Sequence, residues 1–378
     1  MRRISDTIAR IAATASRQPG AVEDGPTGLR QLDSFGSNPG ALKAYLHIPA
    51  GLSVDAALVV VLHGCTQSAI GYDRASGWTK LADEQRFAVL YPEQQPANNL
   101  NRCFNWFNAS DTARGSGEAL SIRQMVAEVQ RLHAIAPQRI FVTGLSAGGA
   151  MASAMLASYP DVFAGGAIIA GLPHGAANGM IEAFDRMRGH ALPAPAELQS
   201  ILRAASDHDG PWPRISLWHG SADGTVSVSN VEAIAAQWRG VHELPERPSD
   251  IDVIDQVPHR TWRAPDGRAL LEEYVVPGMG HGTPLKTRGA GAYGASAPYM
   301  LDVGISSTLR IAQFWEILGT SEPAAKPCPS SPSDAVSLPA HIEPDRLYGR
   351  LSEPEQASAA TIIGKVIEDA FRAAGLMN

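Results

Sequence analysis

Short apolar runs recur along this chain and alternate with segments of helical periodicity. Ile122, Met125, Val126, Val129 and Leu132 follow the i, i+3, i+4, i+7 spacing of an amphipathic helix. Apolar strands that alternate with helices must be covered on both faces, which predicts an α/β fold with a mostly parallel central sheet and helices on both sides. The runs that we interpret as buried strands are Leu58–Leu62, Phe87–Tyr91, Arg139–Thr143, Ala167–Ala170 and Ile215–Trp218.

The 378 residues divide by composition into four segments. Residues 1–40 are polar and are predicted to form an N-terminal extension, whereas residues 41–318 contain the alternating strands and helices of one large domain. Residues 319–356 are rich in proline and serine, which is typical of a linker. Residues 357–378 place apolar side chains on one helical face, so we expect a terminal helix that docks on the domain.

The borders of the domain carry three further predictions. Ordered structure should begin with a strand at Ala41–Ile48, which alternates apolar and polar residues. Near the other end, Thr261–Arg263 and Ala269–Val276 flank a Pro-Asp-Gly turn and are predicted to form a hairpin. A helix over Asp302–Leu318 should close the domain.

Charge excludes several classes of function. Lys and Arg number 31 and Asp and Glu 38, for a net charge of −7, and no basic run is present. The chain therefore lacks the electrostatic footprint of a nucleic-acid or anionic-lipid binder. Its apolar runs are also far shorter than the roughly 20 residues that span a membrane. The sequence leaves the oligomeric state open.

Neither a metal site nor a leader peptide is predicted. The spacing of the three cysteines matches no zinc pattern, and Asp250–Asp252 is interpreted as a solvated loop, so we expect no metal and no cofactor. The N-terminus opens with two arginines, but Asp6, Arg10 and Arg17 interrupt the apolar stretch that a signal peptide needs. The chain as written is thus expected to be cytoplasmic.

A serine between a strand and a helix is the strongest chemical signal. Gly144–Gly148 has the pattern G-x-S-x-G, directly after the predicted strand Arg139–Thr143 and before a helix of small residues. The glycines relieve crowding in a tight turn that exposes the serine hydroxyl, and the helix N-terminus favours negative charge nearby. We predict that Ser146 is a catalytic nucleophile rather than part of an unreactive loop.

A serine nucleophile needs a base and a group that orients the base. Asp223 lies just past the strand Ile215–Trp218, and His281 lies in a glycine-flanked loop after the strand Glu273–Val276. The chain order serine, aspartate, histidine is that of α/β hydrolases. We assign His281 as general base and Asp223 as its orienting acid. The less favoured acids are Asp207, Asp209, Asp252 and Asp255, and the less favoured bases are His63, His174 and His259, of which His63 is interpreted as structural.

Acyl transfer also requires hydrogen-bond donors for the oxyanion that forms. One is expected from the backbone N–H of Ala147, which follows the nucleophile. The other should come from the loop after His63, with Cys65 as first choice and Thr66 as second. Thr66 is also a candidate pocket residue.

Several longer motifs resemble the polyhydroxybutyrate depolymerase-type esterases, a family of α/β hydrolases. The resemblance spans residues ~41–318 and is more specific than the serine pattern alone. It implies an ester hydrolase that uses an acyl-enzyme on short hydroxyalkanoate polyesters or oligomers, with a feruloyl or acetylxylan esterase as the alternative. The motifs are Leu62–Gln67, Leu90–Gln94, Asn101–Phe107, Gly115–Ala119, Gly144–Gly148 and Met279–Pro284.

The resemblance raises three further questions. A Cys65–Cys103 disulfide would tie the oxyanion loop to the segment of Trp106, whereas a reducing cytoplasm would keep two thiols; an extracellular or periplasmic location is the alternative that the family implies. Asn105, Trp106 and Phe107 are candidates for lining the ester pocket, with core packing as the alternative. Glu118 is expected to brace the active-site loops without being catalytic.

The substrate and the enzymatic character are also weighed against alternatives. The last ~60 residues are too few for an independent polymer-binding core, so we expect soluble oligomers or small esters rather than crystalline polymer. A non-catalytic binding protein on a hydrolase scaffold is the distant alternative, which the three occupied triad positions disfavour.

Overall fold

A ten-stranded sheet runs through residues 28–319, the part of the 378-residue chain that this computed structural model describes. The strands are β1 Arg30–Gln31, β2 Lys43–His47, β3 Ala56–Leu62, β4 Ala88–Glu93, β5 Ile135–Leu145, β6 Gly165–Ile169, β7 Arg214–Gly220, β8 Asp250–Ile254, β9 Val257–Arg263 and β10 Ala269–Val276, with β11 Thr283–Leu285 and β12 Met300–Asp302 forming a second, two-stranded sheet. The helices are α1 Ala69–Ser76, α2 Trp78–Gln85, α3 Ala109–Thr112, α4 Gly117–Leu132, α5 Ala147–Ser158, α6 Met180–Met187, α7 Pro195–Ala204, α8 Ser229–Val241 and α9 Ser307–Phe314.

The strand order places the chemistry-bearing loops at one edge of the sheet. It reads β1-β2-β4-β3-β5-β6-β7-β10-β9-β8. The six central strands from β4 to β10 are parallel, and the two outer strands on each side are antiparallel. Because the carboxyl ends of parallel strands meet at one edge, the loops after β3, β5, β7 and β10 lie together there. This is the arrangement of an α/β hydrolase.

Alternate residues of β3 show how the sheet is covered on both faces. Leu58 and Val60 pack on one face with residues of α4, α5 and α8, whereas Val59 and Val61 pack on the other with residues of α1, α2 and α9. Successive side chains of a strand point to opposite faces, so a strand apolar at every position has helices on both sides. The predicted architecture is confirmed.

The central strands and the Thr261–Arg263/Ala269–Val276 hairpin form as predicted, but three predictions at the borders need correction. The helix expected from Asp302 begins at Ser307, because Met300–Asp302 pairs with β11 and the Ser306 side chain caps the helix at Leu309 N. Arg30–Gln31 already forms β1, so the sheet begins before residue 41. Asp250–Asp252 belongs to the edge strand β8, in which every residue is exposed or half-buried, so no run of buried apolar residues marks it as a strand.

Other predictions fall beyond the residues described. The extension before residue 28, the Pro/Ser-rich linker and the terminal helix lie outside residues 28–319. Within that range, no helix combines the length and the apolar character that crossing a membrane requires.

Candidate active site

Ser146 lies in a sharp turn between β5 and α5. Its backbone has φ 57° and ψ −119°, a left-handed conformation that non-glycine residues seldom adopt. The turn is held by a hydrogen bond from Ser146 N to Ile169 O of 2.9 Å. Such strain is typical of functional turns, and it leaves the serine half-buried at the carboxyl edge of the sheet.

The flanking glycines allow this turn because a side chain would collide there with backbone. A Cβ on Gly144 would lie 2.3 Å from Gly148 O, and one on Gly148 would lie 2.4 Å from Leu62 O. These close approaches bring the start of α5 against the ends of β5 and β3. The G-x-S-x-G spacing is therefore a packing requirement of the turn.

Asp223 and His281 meet across two loops that follow neighbouring parallel strands. His281 Nδ1 lies 2.7 Å from Asp223 Oδ2, with both side chains largely buried. Asp223 follows β7, and His281 follows β10, which pairs with β7 in parallel. The structure thus brings together the acid and the base that the sequence predicted.

Hydrogen bonds from backbone N–H groups join the two loops. Ala222 N donates to Met279 O at 3.0 Å, and Gly278 N donates to Ser221 Oγ at 2.8 Å. A Cβ on Gly220 would lie 2.2 Å from Met279 O, so only glycine permits this approach. The position of His281 relative to Asp223 is fixed by main chain as well as by the side-chain hydrogen bond.

The surroundings of Asp223 keep its carboxylate ionised. Burial by itself raises the pKa of Asp223, but the hydrogen bond and positive potential of His281, together with His219, bring the pKa below its usual value. The other carboxylate oxygen, Oδ1, accepts from Thr225 N at 2.8 Å and from Val226 N at 2.9 Å. An ionised carboxylate fixed in this way can orient an imidazole and stabilise its protonated form.

His219 is a neighbour of the acid that the sequence analysis did not assign. It is buried on β7, donates to Val226 O at 2.8 Å and lies 3.5 Å from Asp223 Oδ2. Burial lowers the pKa of His219, which favours the neutral ring. Because His219 is only four residues before Asp223, the sequence could have suggested that the two lie close together. Its contacts with Val226 and Asp223 depend on how the loop after β7 folds back, which the sequence does not show.

The loop after β3 offers one backbone donor rather than two. Thr66 N already donates to Asn101 O at 2.6 Å, and the Thr66 hydroxyl donates to Cys65 O. Within residues 28–319, Cys65 N has no recorded hydrogen-bond partner. The N–H of Ala147, the first residue of α5, also lacks an intrahelical partner, as the geometry of a helix start requires. The geometry favours Cys65 over Thr66 as the second oxyanion donor.

His63 has the structural role that the sequence analysis preferred. Its ring is buried, donates from Nδ1 to Gly64 O at 2.8 Å and accepts at Nε2 from Gln94 N at 3.1 Å. Burial lowers the pKa of His63 to about 4. With both nitrogens engaged and the ring neutral, His63 shapes the loop and takes no part in proton transfer.

Glu118 is the centre of a buried network that holds the segment before Trp106. Its carboxylate accepts from Asn105 N at 2.9 Å, Asn105 Nδ2 at 2.7 Å and Gln94 Nε2 at 2.5 Å. Burial raises the pKa of Glu118 to about 8. Glu118 thus braces this segment, as we predicted. Because the side-chain amide of Asn105 donates to Glu118, Asn105 is a poor candidate for contacting substrate.

We expect Glu118 to make the stability of the protein depend on pH. Its folded pKa, about 8, lies above the ordinary value of 4.5, so the folded protein binds this proton more tightly than the unfolded chain. The contribution to stability is complete below pH 4.5 and is lost as the pH rises through 8, by up to about 5 kcal/mol at 1.36 kcal/mol per pKa unit. Urea unfolding of wild type and Glu118→Gln across this range measures the loss.

The variant pair isolates this carboxyl from all others. Glu118→Gln keeps the shape and cannot titrate, so wild type should lose stability relative to the variant as the pH rises. Glu128→Gln is the matched control, because Glu128 lies on the same helix, pairs with Arg131 at 2.7 Å and has a lowered pKa. If wild type and Glu118→Gln show parallel pH curves, Glu118 does not titrate in this range.

An apolar cluster surrounds the turn of Ser146. Trp106, Ala147, Leu172 and Val226 are buried together, with Phe107 half-buried beside them. The rings of Trp106 and Phe107 meet edge to face at 5.6 Å. Because Ala147 follows the serine and Val226 follows the acid loop, this cluster is suited to form the wall of an ester pocket. Thr66, by contrast, is exposed on the loop above.

A disulfide joins Cys65 and Cys103, with the two Cα atoms 4.3 Å apart. It links the loop of the candidate oxyanion donor to the segment that carries Trp106. Closing a loop of this length stabilises a fold by about 4 kcal/mol on the chain-entropy account. Cys328, the third cysteine, lies outside the described residues.

The rejected acids and bases have other roles. Asp255 pairs with Arg310 at 2.8 Å, and His259 lies 3.1 Å from Glu272 and stacks on Tyr274. Burial lowers the pKa of His174 to about 4, which makes it a poor base at neutral pH. Among residues 28–319, no group of three or more His, Cys, Asp or Glu side chains is arranged to hold a metal ion.

The remaining pair of the candidate triad is Ser146 and His281. Within the described residues the Ser146 hydroxyl has no recorded hydrogen bond to His281. In enzymes without substrate this bond is often long, and it shortens in the complex.

Comparisons with known proteins point in the same direction as this geometry. The family described as esterase PHB depolymerase has a model that matches residues 42–244. Poly(3-hydroxyalkanoate) depolymerase C of Paucimonas lemoignei is 45% identical over 293 residues, which are 77% of this chain and 70% of that protein. An acetylxylan esterase of Coprinopsis cinerea is 31% identical over 263 residues, which are 68% of this chain and 69% of that protein.

A solved structure supports the fold. The acetyl xylan esterase from Aspergillus awamori superposes on this protein with a TM-score of 0.65 and 23% sequence identity. The superposition covers 77% of this chain and 100% of the esterase chain. Identity this low speaks for the fold alone. The family match and the 45% identity show that this chain belongs to the esterase PHB depolymerase family, whose members are ester hydrolases with the α/β-hydrolase fold.

Proposed function

We propose that this protein cleaves carboxylic esters through an acyl-enzyme on Ser146, with His281 as the proton carrier and Asp223 as its orienting acid. The observation that carries the proposal is the 2.7 Å contact between His281 Nδ1 and Asp223 Oδ2, at the sheet edge where the Ser146 turn lies. An ionised Asp223 requires Nδ1 to carry a proton. The neutral ring then presents Nε2 as an acceptor for the proton of the serine hydroxyl.

The reaction follows from these positions. Ser146 Oγ attacks the ester carbonyl while its proton passes to His281 Nε2, and the imidazolium then protonates the departing alcohol. A water molecule repeats the attack on the acyl-enzyme and releases the acid. The N–H groups of Cys65 and Ala147 stabilise the oxyanion in both steps, and one such donor is typically worth about 10²- to 10³-fold in rate.

The substrate that we propose is a short hydroxyalkanoate ester, either an oligomer or a chain end of the polyester. Two observations support it: the 45% identity to a protein named as a poly(3-hydroxyalkanoate) depolymerase, against 31% to an acetylxylan esterase, and the apolar cluster of Trp106 and Val226 beside the serine. An apolar wall on the acyl side suits the methyl-bearing acyl unit of a hydroxybutyrate ester, which presents more apolar surface than the acetyl group of acetylated xylan. Acetylated xylan is therefore the second candidate.

A panel of substrates tests the choice. We expect kcat/KM for 3-hydroxybutyrate dimer and trimer to exceed that for methyl ferulate and for acetylated xylan by at least about tenfold, the order of discrimination that one or two apolar contacts provide. Acid release followed at constant pH measures all four substrates in the same way. Faster release of acetate from xylan would overturn the proposed substrate class and leave the esterase chemistry in place.

A fluorophosphonate probe tests the chemistry independently of the substrate. Only an activated serine reacts with it, so one equivalent should attach to wild type and peptide mapping should place it on Ser146. Attachment at another serine would contradict the assignment of the nucleophile.

A further inference from the structure

Tyr299 lies beside His281, although the two are 18 positions apart in the chain and no catalytic pattern includes Tyr299. The two rings meet edge to face, with centroids 6.0 Å apart and planes at 78°. Tyr299 O accepts from Thr283 N at 2.8 Å, so its backbone is attached to the strand that follows the histidine loop. A Cβ on Gly282 would lie 2.7 Å from Tyr299 O, which shows how closely the two segments pack.

The same segment also reaches the oxyanion loop. Pro298 O accepts from Gln67 Nε2 at 3.3 Å, and Gln67 Oε1 accepts from Gly64 N at 2.8 Å. Gly64 directly precedes Cys65, the candidate oxyanion donor. Tyr299 therefore stands where the histidine loop and the oxyanion loop approach each other.

The backbone at Tyr299 is one that favours glycine. Met300 N donates to Ala297 O at 2.9 Å, which closes a β-turn with Pro298 and Tyr299 at its two central positions. Proline followed by a residue of positive φ is the pattern of a type II turn, and the second position normally holds glycine or asparagine. Tyr299 occupies it with φ 63°. Tyr299 thus places a bulky aromatic side chain at a turn position that favours glycine.

The ring is also available to a ligand. Tyr299 is half-buried, and within residues 28–319 its hydroxyl has no recorded hydrogen-bond partner. Tyr293, on the same segment, differs in this respect, because its hydroxyl donates to Glu84 at 2.7 Å. An aromatic ring with an unengaged hydroxyl offers an apolar face and one donor to a bound molecule.

The chemistry at His281 identifies which part of the substrate this ring meets. The imidazolium delivers its proton to the departing alcohol, so the alcohol oxygen must lie within hydrogen-bond reach of the ring. The cluster of Trp106, Ala147 and Val226 lies instead around the serine and the oxyanion donor, where the acyl group sits. The histidine side of the site is therefore the alcohol side.

We propose that Tyr299 is the residue that selects the alcohol part of the ester, packing its ring on that group and donating its hydroxyl to a polar atom beyond the scissile bond. In a hydroxyalkanoate oligomer the departing alcohol is another ester unit, whose carbonyl oxygen can accept this hydrogen bond. The role rests on the acyl-enzyme chemistry proposed above, and the identity of the acceptor rests on the proposed substrate class.

Esters that share an acyl group and differ in the alcohol test this role. Tyr299→Ala should lower kcat/KM for 3-hydroxybutyrate trimer by about tenfold or more, as loss of a central aromatic contact does, and for methyl 3-hydroxybutyrate, which shares the acyl group, by at most about twofold. Tyr299→Phe should lower the trimer value by about three- to tenfold, the usual effect of one hydrogen bond. Tyr293→Phe, the same change on the same segment, should leave kcat/KM unchanged for every substrate.

The deacylation rate distinguishes selection of the alcohol from mere support of His281, because only loss of support would slow deacylation. The alcohol has departed before water attacks, so the deacylation rate after a burst with p-nitrophenyl butyrate should be the same in wild type and Tyr299→Ala. An equal loss for all alcohols together with slower deacylation would overturn the proposal and make Tyr299 a support for His281. If wild type does not hydrolyse the trimer, the proposed substrate class is wrong. Tyr299 can then still be tested with methyl, butyl and phenyl butyrate, because the loss of kcat/KM in Tyr299→Ala should increase in that order of alcohol size.

Discussion

Ser146→Ala should reduce ester hydrolysis by at least about 10⁴-fold, because the hydroxyl that forms the acyl-enzyme is lost while the oxyanion donors and pocket remain. Both serine and alanine carry a Cβ, so the substitution adds no strain to the turn at φ 57°. The fold should survive, since Ser146 holds the turn through its backbone N–H rather than its side chain. Hydrolysis of p-nitrophenyl butyrate measures the loss.

Ser153→Ala is the matched control for this change. Ser153 lies on α5, the helix that directly follows Ser146, and its buried hydroxyl has no hydrogen-bond partner within the described residues. Removing it should leave activity intact and stability equal or higher, since no hydrogen bond is lost. Near-normal turnover by Ser146→Ala, with Ser153→Ala also active, would show that the nucleophile lies elsewhere.

Asp223→Asn should lower kcat by about 10⁴-fold at neutral pH with little change in structure, because it reverses the tautomer of His281. Asp223 Oδ1 is held by Thr225 N and Val226 N, which an amide oxygen can also accept. The amide nitrogen then faces His281 Nδ1 and donates to it. The imidazole proton moves to Nε2, which can no longer accept a proton from the serine.

The fluorophosphonate probe should report the same defect, since the serine is no longer activated in Asp223→Asn. Asp252→Asn is the control, because Asp252 is an exposed residue of the edge strand β8. Full activity in Asp223→Asn would mean that another acid orients His281. Equal losses in both variants would point to a general effect of removing negative charge.

Local patterns were sufficient to predict the central strands, the turn of Ser146 and the loops that carry Asp223 and His281. Each of these depends on neighbours in the chain: apolar runs with turns at their ends, or glycines beside a serine. The resemblance to the depolymerase-type esterases, which rests on such motifs, is confirmed by the family match. Prediction was less successful at the edges of the fold, where β8 and β12 have few buried residues to reveal them.

The surroundings of the triad depend on residues that are far apart in sequence. Glu118 meets Gln94 across 24 positions and Asn105 across 13, and Gln67 meets Pro298 across 231. No periodicity or spacing can predict such pairs, because they arise from the way loops of different strands fold against one another at the sheet edge. For this reason the sequence marked Asn105 as a pocket residue, whereas the structure uses it to bind Glu118.

The α/β architecture and the candidate serine, aspartate and histidine could be predicted from local sequence, since buried strands and tight turns leave local signatures in composition and spacing. The folded chain was needed to show that Cys65 rather than Thr66 keeps a backbone donor unengaged, that Cys65 bonds to Cys103, and that Tyr299 lies beside His281. Those features follow from the packing of loops at one edge of a parallel sheet. The candidate reacting residues are thus marked by local sequence, whereas the contacts around them join segments that are distant in the chain.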